Sequence, residues 1–128
     1  MQNEAPPPPL QTVFDTVFSK AGRVFWKSRK TKRLQEILGW VAFYHPLQSL
    51  HYKRLQTLSE VIQAQFDELG RPLRVADLGC GGGILTMTAH LLGHRVVGLD
   101  ENPEALELSQ KLALELKTQA PLIQASFD

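Results

Sequence analysis

Asp77, Gly79, Gly81 and Gly83 stand at two-residue spacing within the run Asp77-Leu78-Gly79-Cys80-Gly81-Gly82-Gly83. A second acid, Asp100, closes the run His94-Arg95-Val96-Val97-Gly98-Leu99-Asp100. Glycines let a backbone approach a ligand closely. A helix start beside such a turn offers N–H groups that have no partner within the helix. An acid at the end of the neighbouring strand accepts hydrogen bonds from a ribose diol. The chemistry that these residues suit is the holding of a nucleoside-containing ligand.

The elements that must position them are legible on both sides. Leu73-Arg74-Val75-Ala76 reads as a short strand before the turn, and Ile84 to Leu92 as an amphipathic helix after it. Strand, glycine turn, helix, strand and acid together form the front half of a nucleotide-binding α/β domain. Asn102-Pro103-Glu104 starts another helix, with proline in the first turn and an acid near its N-terminus. Ala105, Leu106, Leu108, Leu112, Leu114 and Leu116 carry it towards Lys117, and Ala120-Pro121 breaks it. Leu122-Ile123-Gln124-Ala125 reads as a third strand. The expected sheet order is 3-2-1. A doubly wound sheet has strands on both sides of its first strand, so the expected sheet is incomplete and its first strand has an open edge. A partner chain, the basic N-terminal helices or further sequence would cover that edge.

Upstream, Pro6, Pro7, Pro8 and Pro9 form a short polyproline segment. Residues 10–33 mix Val13, Phe14, Val17, Phe18, Val24, Phe25 and Trp26 with basic positions at helical spacing, weakened at Gly22. Residues 34–44 form a second helical stretch that His45-Pro46 breaks. Residues 47–69 give a long amphipathic helix with Leu47, Leu50, Leu55, Leu58, Val61, Ile62, Phe66 and Leu69 on its apolar side. The chain divides into a Pro-rich and basic helical extension, 1–45, and the front half of a ligand-binding domain, 46–128.

Composition narrows the class. Hydrophobic residues at 43% and charged residues at 21% of 128 fit one modest globular domain. No apolar run approaches a membrane span, and the N-terminus lacks the charged and apolar regions of a secretory signal. The single Cys80 excludes an internal disulfide and fits a reducing, cytoplasmic setting. The net charge of +1 hides an asymmetry: residues 1–74 carry a net +5 and residues 75–128 a net −4. Lys20, Arg23, Lys27, Arg29, Lys30, Lys32 and Arg33 lie in a stretch with no acid. A solvated helix face is the plainer reading of that run. As a contact surface it fits an anionic membrane, with nucleic acid the weaker fit.

The turn also discriminates between ligands. The dinucleotide pattern G-x-G-x-x-G fails in both registers, because Ile84 or Thr86 stands where its third glycine belongs. The pattern acid-x-G-x-G-x-G is met in full. Asp77 beside the turn repels a pyrophosphate, which needs a close contact at the helix N-terminus. The same acid suits S-adenosylmethionine, which has no phosphate and carries an ammonium and a sulfonium.

On these residues the chain resembles the class I S-adenosylmethionine-dependent methyltransferases, with a Rossmann-like α/β fold. Val75-Ala76-Asp77-Leu78-Gly79-Cys80-Gly81-Gly82-Gly83-Ile84-Leu85 looks like their first motif, and Val97-Gly98-Leu99-Asp100 like their second-strand motif. Within that group it is most similar to the ubiquinone-biosynthesis O-methyltransferases. The loop Gly-Cys-Gly-Gly-Gly-Ile-Leu and the segment Pro46-Leu47-Gln48-Ser49-Leu50-His51-Tyr52-Lys53-Arg54-Leu55 carry that likeness. The resemblance covers residues 46–128; the basic stretch before it departs from the family's acidic or neutral entry. It implies S-adenosylmethionine as methyl donor, a small quinone-precursor-like acceptor, and donor contacts from Arg54, Gly79 and Asp100. Arg54 would pair with the methionyl carboxylate and Asp100 with both ribose hydroxyls. Gly79, Gly81 and Gly83 would supply the close backbone approach, with Asp77 beside them. Glu101 would lie next to the adenine edge, with Ser126 or Asp128 as the third-strand contact.

The plainer residues need no special chemistry. Cys80 reads as a small packing residue. His45, His51, His90 and His94 show no metal-ligand spacing, so no metal is expected. Methyl transfer to a phenolic oxygen needs a base or a metal to deprotonate it. In the family that the chain resembles, the acceptor pocket follows a fourth strand, so no catalytic residue is assigned here. The alternatives are a catalytically incomplete fragment that acts as a binding or scaffold module, and a methyltransferase acting on lipid or nucleic acid.

Overall fold

The computed structural model describes residues 9–28 and 50–126. Three expectations lie outside those residues: the helix at 34–44, the His45-Pro46 break and the contact by Asp128. Most of the polyproline segment and the basic residues Arg29, Lys30, Lys32 and Arg33 do so too.

The described elements are α1 (Leu10–Ser28), α2 (Leu50–Leu69), β1 (Arg74–Leu78), α3 (Ile84–Leu91), β2 (Arg95–Asp100), α4 (Pro103–Glu115) and β3 (Leu122–Gln124). The three strands form a parallel sheet in the order β1-β2-β3, as the order 3-2-1 anticipates. Its register pairs Val75 with Val96, Asp77 with Gly98, and Gly98 with Leu122. The alternate set, Ala76 with Val97 and Leu78 with Leu99 and Ile123, points to the other face. Among the described residues the helices cover the first face alone. On the second, Leu78 is 67% and Ile123 49% exposed, and β1 has a neighbouring strand on one side alone among the described residues.

The apolar core lies within the helical layer. Phe14, Val17 and Phe18 of α1 pack with Ile84 and Met87 of α3 and with Leu112 and Ala113 of α4. Full burial of side chains of this size stabilises by about 1.5–3 kcal/mol each. Tyr52 seals α2 against α1, edge-on to Phe18 at 5.0 Å and tilted on Phe14 at 5.1 Å. Its hydroxyl donates to Asp15 at 2.6 Å and accepts from Gln11 at 2.9 Å. Burial, and then the Asp15 carboxylate, push the Tyr52 pKa up. The described part of the N-terminal extension therefore packs on helices and leaves the edge of β1 bare.

The apolar side expected for the 47–69 helix needs correction. Leu50, Leu58, Val61 and Leu69 are exposed, whereas Tyr52 and Leu55 meet the core and Ser59 is fully buried. Residues three or four apart share a helix face, and the line that faces the neighbours runs through Tyr52, Leu55 and Ser59. The Ser59 hydroxyl is satisfied by the Leu55 carbonyl at 2.9 Å. Leu114 of α4, expected to be apolar-facing, is likewise 78% exposed.

At the entry end of the sheet the ring of buried His94 accepts the Leu73 N–H on Nδ1 at 3.0 Å. Phe66, near the end of α2, stands edge-on to that ring at 5.5 Å. This contact sets the C-terminal end of α2 at the entry of the strands.

Candidate functional site

The glycine turn crosses the exit end of the sheet. The N–H groups of Gly79 and Cys80 both donate to the Leu99 carbonyl, at 2.7 and 2.9 Å. Gly79 (φ 71°), Gly81 (φ 56°) and Gly83 (φ 84°) all adopt the left-handed conformation that L side chains resist. They differ in surroundings. A Cβ at Gly79 or Gly81 would meet no atom within 4 Å, so open space lies beside the backbone there. A Cβ at Gly83 would stand 2.8 Å from the Ser109 hydroxyl. Gly83 is glycine for packing as well as for conformation, and it opens α3.

Asp100 joins the second strand to the turn. Its Oδ2 accepts the Gly81 N–H at 2.9 Å, and its Oδ1 accepts the Asn102 N–H at 2.8 Å. Asn102 in turn caps α4 by accepting the Glu104 N–H at 2.9 Å. Each carboxylate oxygen has a second lone pair, which leaves Asp100 two acceptor positions for a ligand diol.

Asp77 does different work. Its Oδ2 accepts the Thr86 hydroxyl at 2.6 Å, which ties the exit of β1 to α3. Burial raises the Asp77 pKa, the Thr86 hydrogen bonds oppose the rise, and the Asp100 charge adds to it. Gly98 of β2 makes room for this tie, because a Cβ there would lie 2.9 Å from Thr86 Oγ1. Cys80 is buried among these groups and its pKa is pushed up to about 11, first by burial and then by the two carboxylates. A thiol shifted in this direction stays protonated at neutral pH, which suits a packing residue.

The remaining expected residues are placed less tightly. Arg54 is exposed on α2, with Nη2 3.0 Å from His51 Nδ1. It lies 12 residues before Phe66, about 18 Å along the helix from the contact with His94. Its described bond is to His51 and none ties it to the turn. Burial, and then the Arg54 charge, lower the His51 pKa. Glu101 is exposed directly after Asp100, and its main-chain carbonyl accepts from Gln124 Nε2 at 3.3 Å. Ser126 is exposed just beyond β3. Among the described residues no cluster of three or more His, Cys, Asp or Glu could hold a metal.

Two residues of the site escape the sequence reading: Thr86 on Asp77, and Ser109, which donates to the Gly81 carbonyl at 2.6 Å. The signal for Ser109 is a hydroxyl inside the stripe Leu106, Ser109, Leu112 and Ala113, which is buried throughout.

The family model described as ribosomal protein L11 methyltransferase (PrmA) matches residues 53–124, more than half of the chain. The chain belongs to this methyltransferase family. It is also similar to the ubiquinone biosynthesis O-methyltransferase of Vibrio cholerae serotype O1, 35% identical over 85 residues that cover 66% of this chain and 33% of that protein. The chain thus spans about a third of the length of the curated relatives it matches. Among solved structures it is similar to the bifunctional kinase-methyltransferase WbdD, with a TM-score of 0.56 and 28% identity over 66% of this chain and 20% of WbdD. Magnesium protoporphyrin IX methyltransferase (ChlM) from Synechocystis PCC 6803, with bound SAH, aligns over 92% of this chain and 52% of its own, at a TM-score of 0.52 and 18% identity. That likeness is one of fold. The fold is a partial Rossmann-like α/β methyltransferase fold, in line with the first-motif and second-strand resemblance.

Proposed function

We propose that this chain forms the donor-binding part of an S-adenosylmethionine-dependent methyltransferase that acts on an oxygen of a small, quinone-precursor-like acceptor. The observation that carries the reading is the coupling of Asp100 to the Gly81 N–H, which sets a diol-accepting carboxylate beside the open space at Gly79 and Gly81. S-adenosylmethionine fits that donor set. The turn offers open main chain and no basic side chain, as suits a ligand without phosphate. When bound, the donor supplies an electrophilic methyl group on a sulfonium.

The chain's own residues bind and orient. Asp100 would hold the ribose hydroxyls, Gly79 and Gly81 the methionyl part, Arg54 its carboxylate, and Glu101 the adenine side. Gly83 and Asp77 shape the turn from within. No residue of the chain is assigned the base that deprotonates the acceptor. The acceptor class is supported by the ubiquinone biosynthesis O-methyltransferases among the relatives. A protein acceptor is the second reading, favoured by the description of the matched family. Peripheral contact of residues 20–33 with an anionic membrane belongs to the first reading; Arg23 and Lys27 are exposed on α1.

Calorimetric titration of the 128-residue chain with S-adenosylmethionine, beside Asp100→Ala, tests the donor. Saturable binding that the variant loses is the expected result; a folded chain that binds nothing refutes it. Transfer of labelled methyl to a polyprenyl catechol but not to ribosomal protein L11 supports the first acceptor, and the reverse preference supports the second. Binding without transfer to either would leave the chain as a donor-binding module.

A further inference from the structure

Ser109 is fully buried in the middle of α4. A helical serine ordinarily donates to the carbonyl four residues back. Here that carbonyl, Ala105, is 3.1 Å away, and the Gly81 carbonyl is closer at 2.6 Å. The single hydroxyl proton favours the shorter contact, so the helix gives up a local bond to hold the turn.

Both peptides that flank the Gly81 Cα are then pinned. The Cys80–Gly81 peptide is held through the Gly81 N–H by Asp100, and the Gly81–Gly82 peptide through the Gly81 carbonyl by Ser109. Together they set φ and ψ at a residue that has no Cβ to restrict it. A trans peptide points its C=O and N–H in opposite directions. With the Gly81 carbonyl drawn towards α4, the Gly82 N–H faces away from α4, towards the open side of the turn. Among the described residues it meets no acceptor.

We propose that Ser109 is a positioning residue for the donor turn: by holding the Gly81 carbonyl it presents the Gly82 N–H to the carboxylate of the bound amino-acid moiety. This rests on the donor reading above. It assigns Ser109 no contact with the ligand. Its effect is confined to ligands that carry the carboxylate.

The test compares S-adenosylhomocysteine, which has that carboxylate, with 5′-methylthioadenosine, which lacks it, on the wild-type chain and on Ser109→Ala. The variant is expected to bind S-adenosylhomocysteine roughly three- to tenfold more weakly, a fraction of one hydrogen bond to a charged group, because the Gly82 N–H is loosened and not removed. Its affinity for 5′-methylthioadenosine should stay within about twofold, a change worth under ~0.5 kcal/mol. The Gly82 amide resonance should shift in the ligand-free variant. Equal loss for both ligands would reduce Ser109 to general support of the fold and overturn the proposal. Unchanged affinity for both would overturn it as well, with the donor reading intact. Failure of the wild-type chain to bind either nucleoside would remove the donor reading and this proposal together.

Discussion

The two ends of the sheet use the same device for opposite purposes. At the exit, a side chain that closes β2 reaches back to an amide that follows β1: Asp100 accepts the Gly81 N–H. At the entry, a side chain just before β2 does the same to an amide just before β1: His94 accepts the Leu73 N–H. The exit acceptor is a carboxylate with lone pairs to spare. The entry acceptor is one neutral ring nitrogen, buried against Phe66, with nothing left to offer. Identical topology leaves capacity for a ligand at the exit, where the acceptor keeps free lone pairs, and serves structure alone at the entry, where the acceptor is used up.

Substitution separates the two ends. The largest effect is expected at Gly83→Val. A β-branched residue there meets the left-handed conformation, which costs about 1–3 kcal/mol, and also a 2.8 Å clash with Ser109. Loss of about 3 kcal/mol or more in urea unfolding, with donor binding abolished, is the expected outcome; a stability within 1 kcal/mol of wild type would contradict the packing described. Asp100→Asn comes next. It should weaken S-adenosylmethionine by about tenfold to a hundredfold, as hydrogen bonds to a charged acceptor are worth about 1.5–3 kcal/mol. Thermal unfolding should change far less than ligand affinity, and the opposite ranking would make Asp100 an entry-type residue.

At the entry end, His94→Phe keeps the ring and strands the Leu73 N–H, for a loss of about 1–3 kcal/mol with donor affinity unchanged. The pH dependence sharpens the contrast. Burial lowers the His94 pKa below its ordinary 6.5, so the folded chain favours the neutral ring. That contribution is complete above pH 6.5 and is lost as the pH falls through 6.5 towards the folded value, because the unfolded chain then takes up the proton first. His51, also lowered by burial and by Arg54, acts in the same direction. Denaturant midpoints measured from pH 8 to pH 5 should fall for the wild type and fall less for His94→Phe. The smallest effect on stability is expected at Arg54→Ala. Unfolding should move by no more than about 0.5 kcal/mol, as at other exposed sites, while donor affinity drops severalfold. No change in affinity would remove Arg54 from the site.

The difference between the ends also marks what could be read from the sequence. Asp77, the three glycines and Asp100 were legible because their spacing reflects backbone needs that few residue types meet. The strand order was legible because short right-handed crossovers leave little choice. Ser109 and Thr86 were hidden because a hydroxyl within an apolar stripe shows its role only once the carbonyl or carboxylate it reaches is known. The role of His94 was hidden for the same reason: it read as the first residue of a strand, and its partner lies 21 residues away. The apolar side of α2 was misjudged because leucines outnumber the positions that face a neighbour. Exposed Leu58 and Val61 look no different in sequence from Leu55, and only packing against α1 and α3 chose Tyr52, Leu55 and Ser59.

One oxygen at the exit has a consequence in time. The Leu99 carbonyl accepts two successive amides, Gly79 and Cys80, so the turn hangs from β2 itself. Opening the turn then means breaking into the sheet. The amide protons of Gly79, Cys80 and Gly81 should exchange with solvent on the slow schedule of the strands, although Gly79 lies at the surface. A ligand arriving there meets a surface already set before contact, and the ordering cost of binding falls mainly on the ligand.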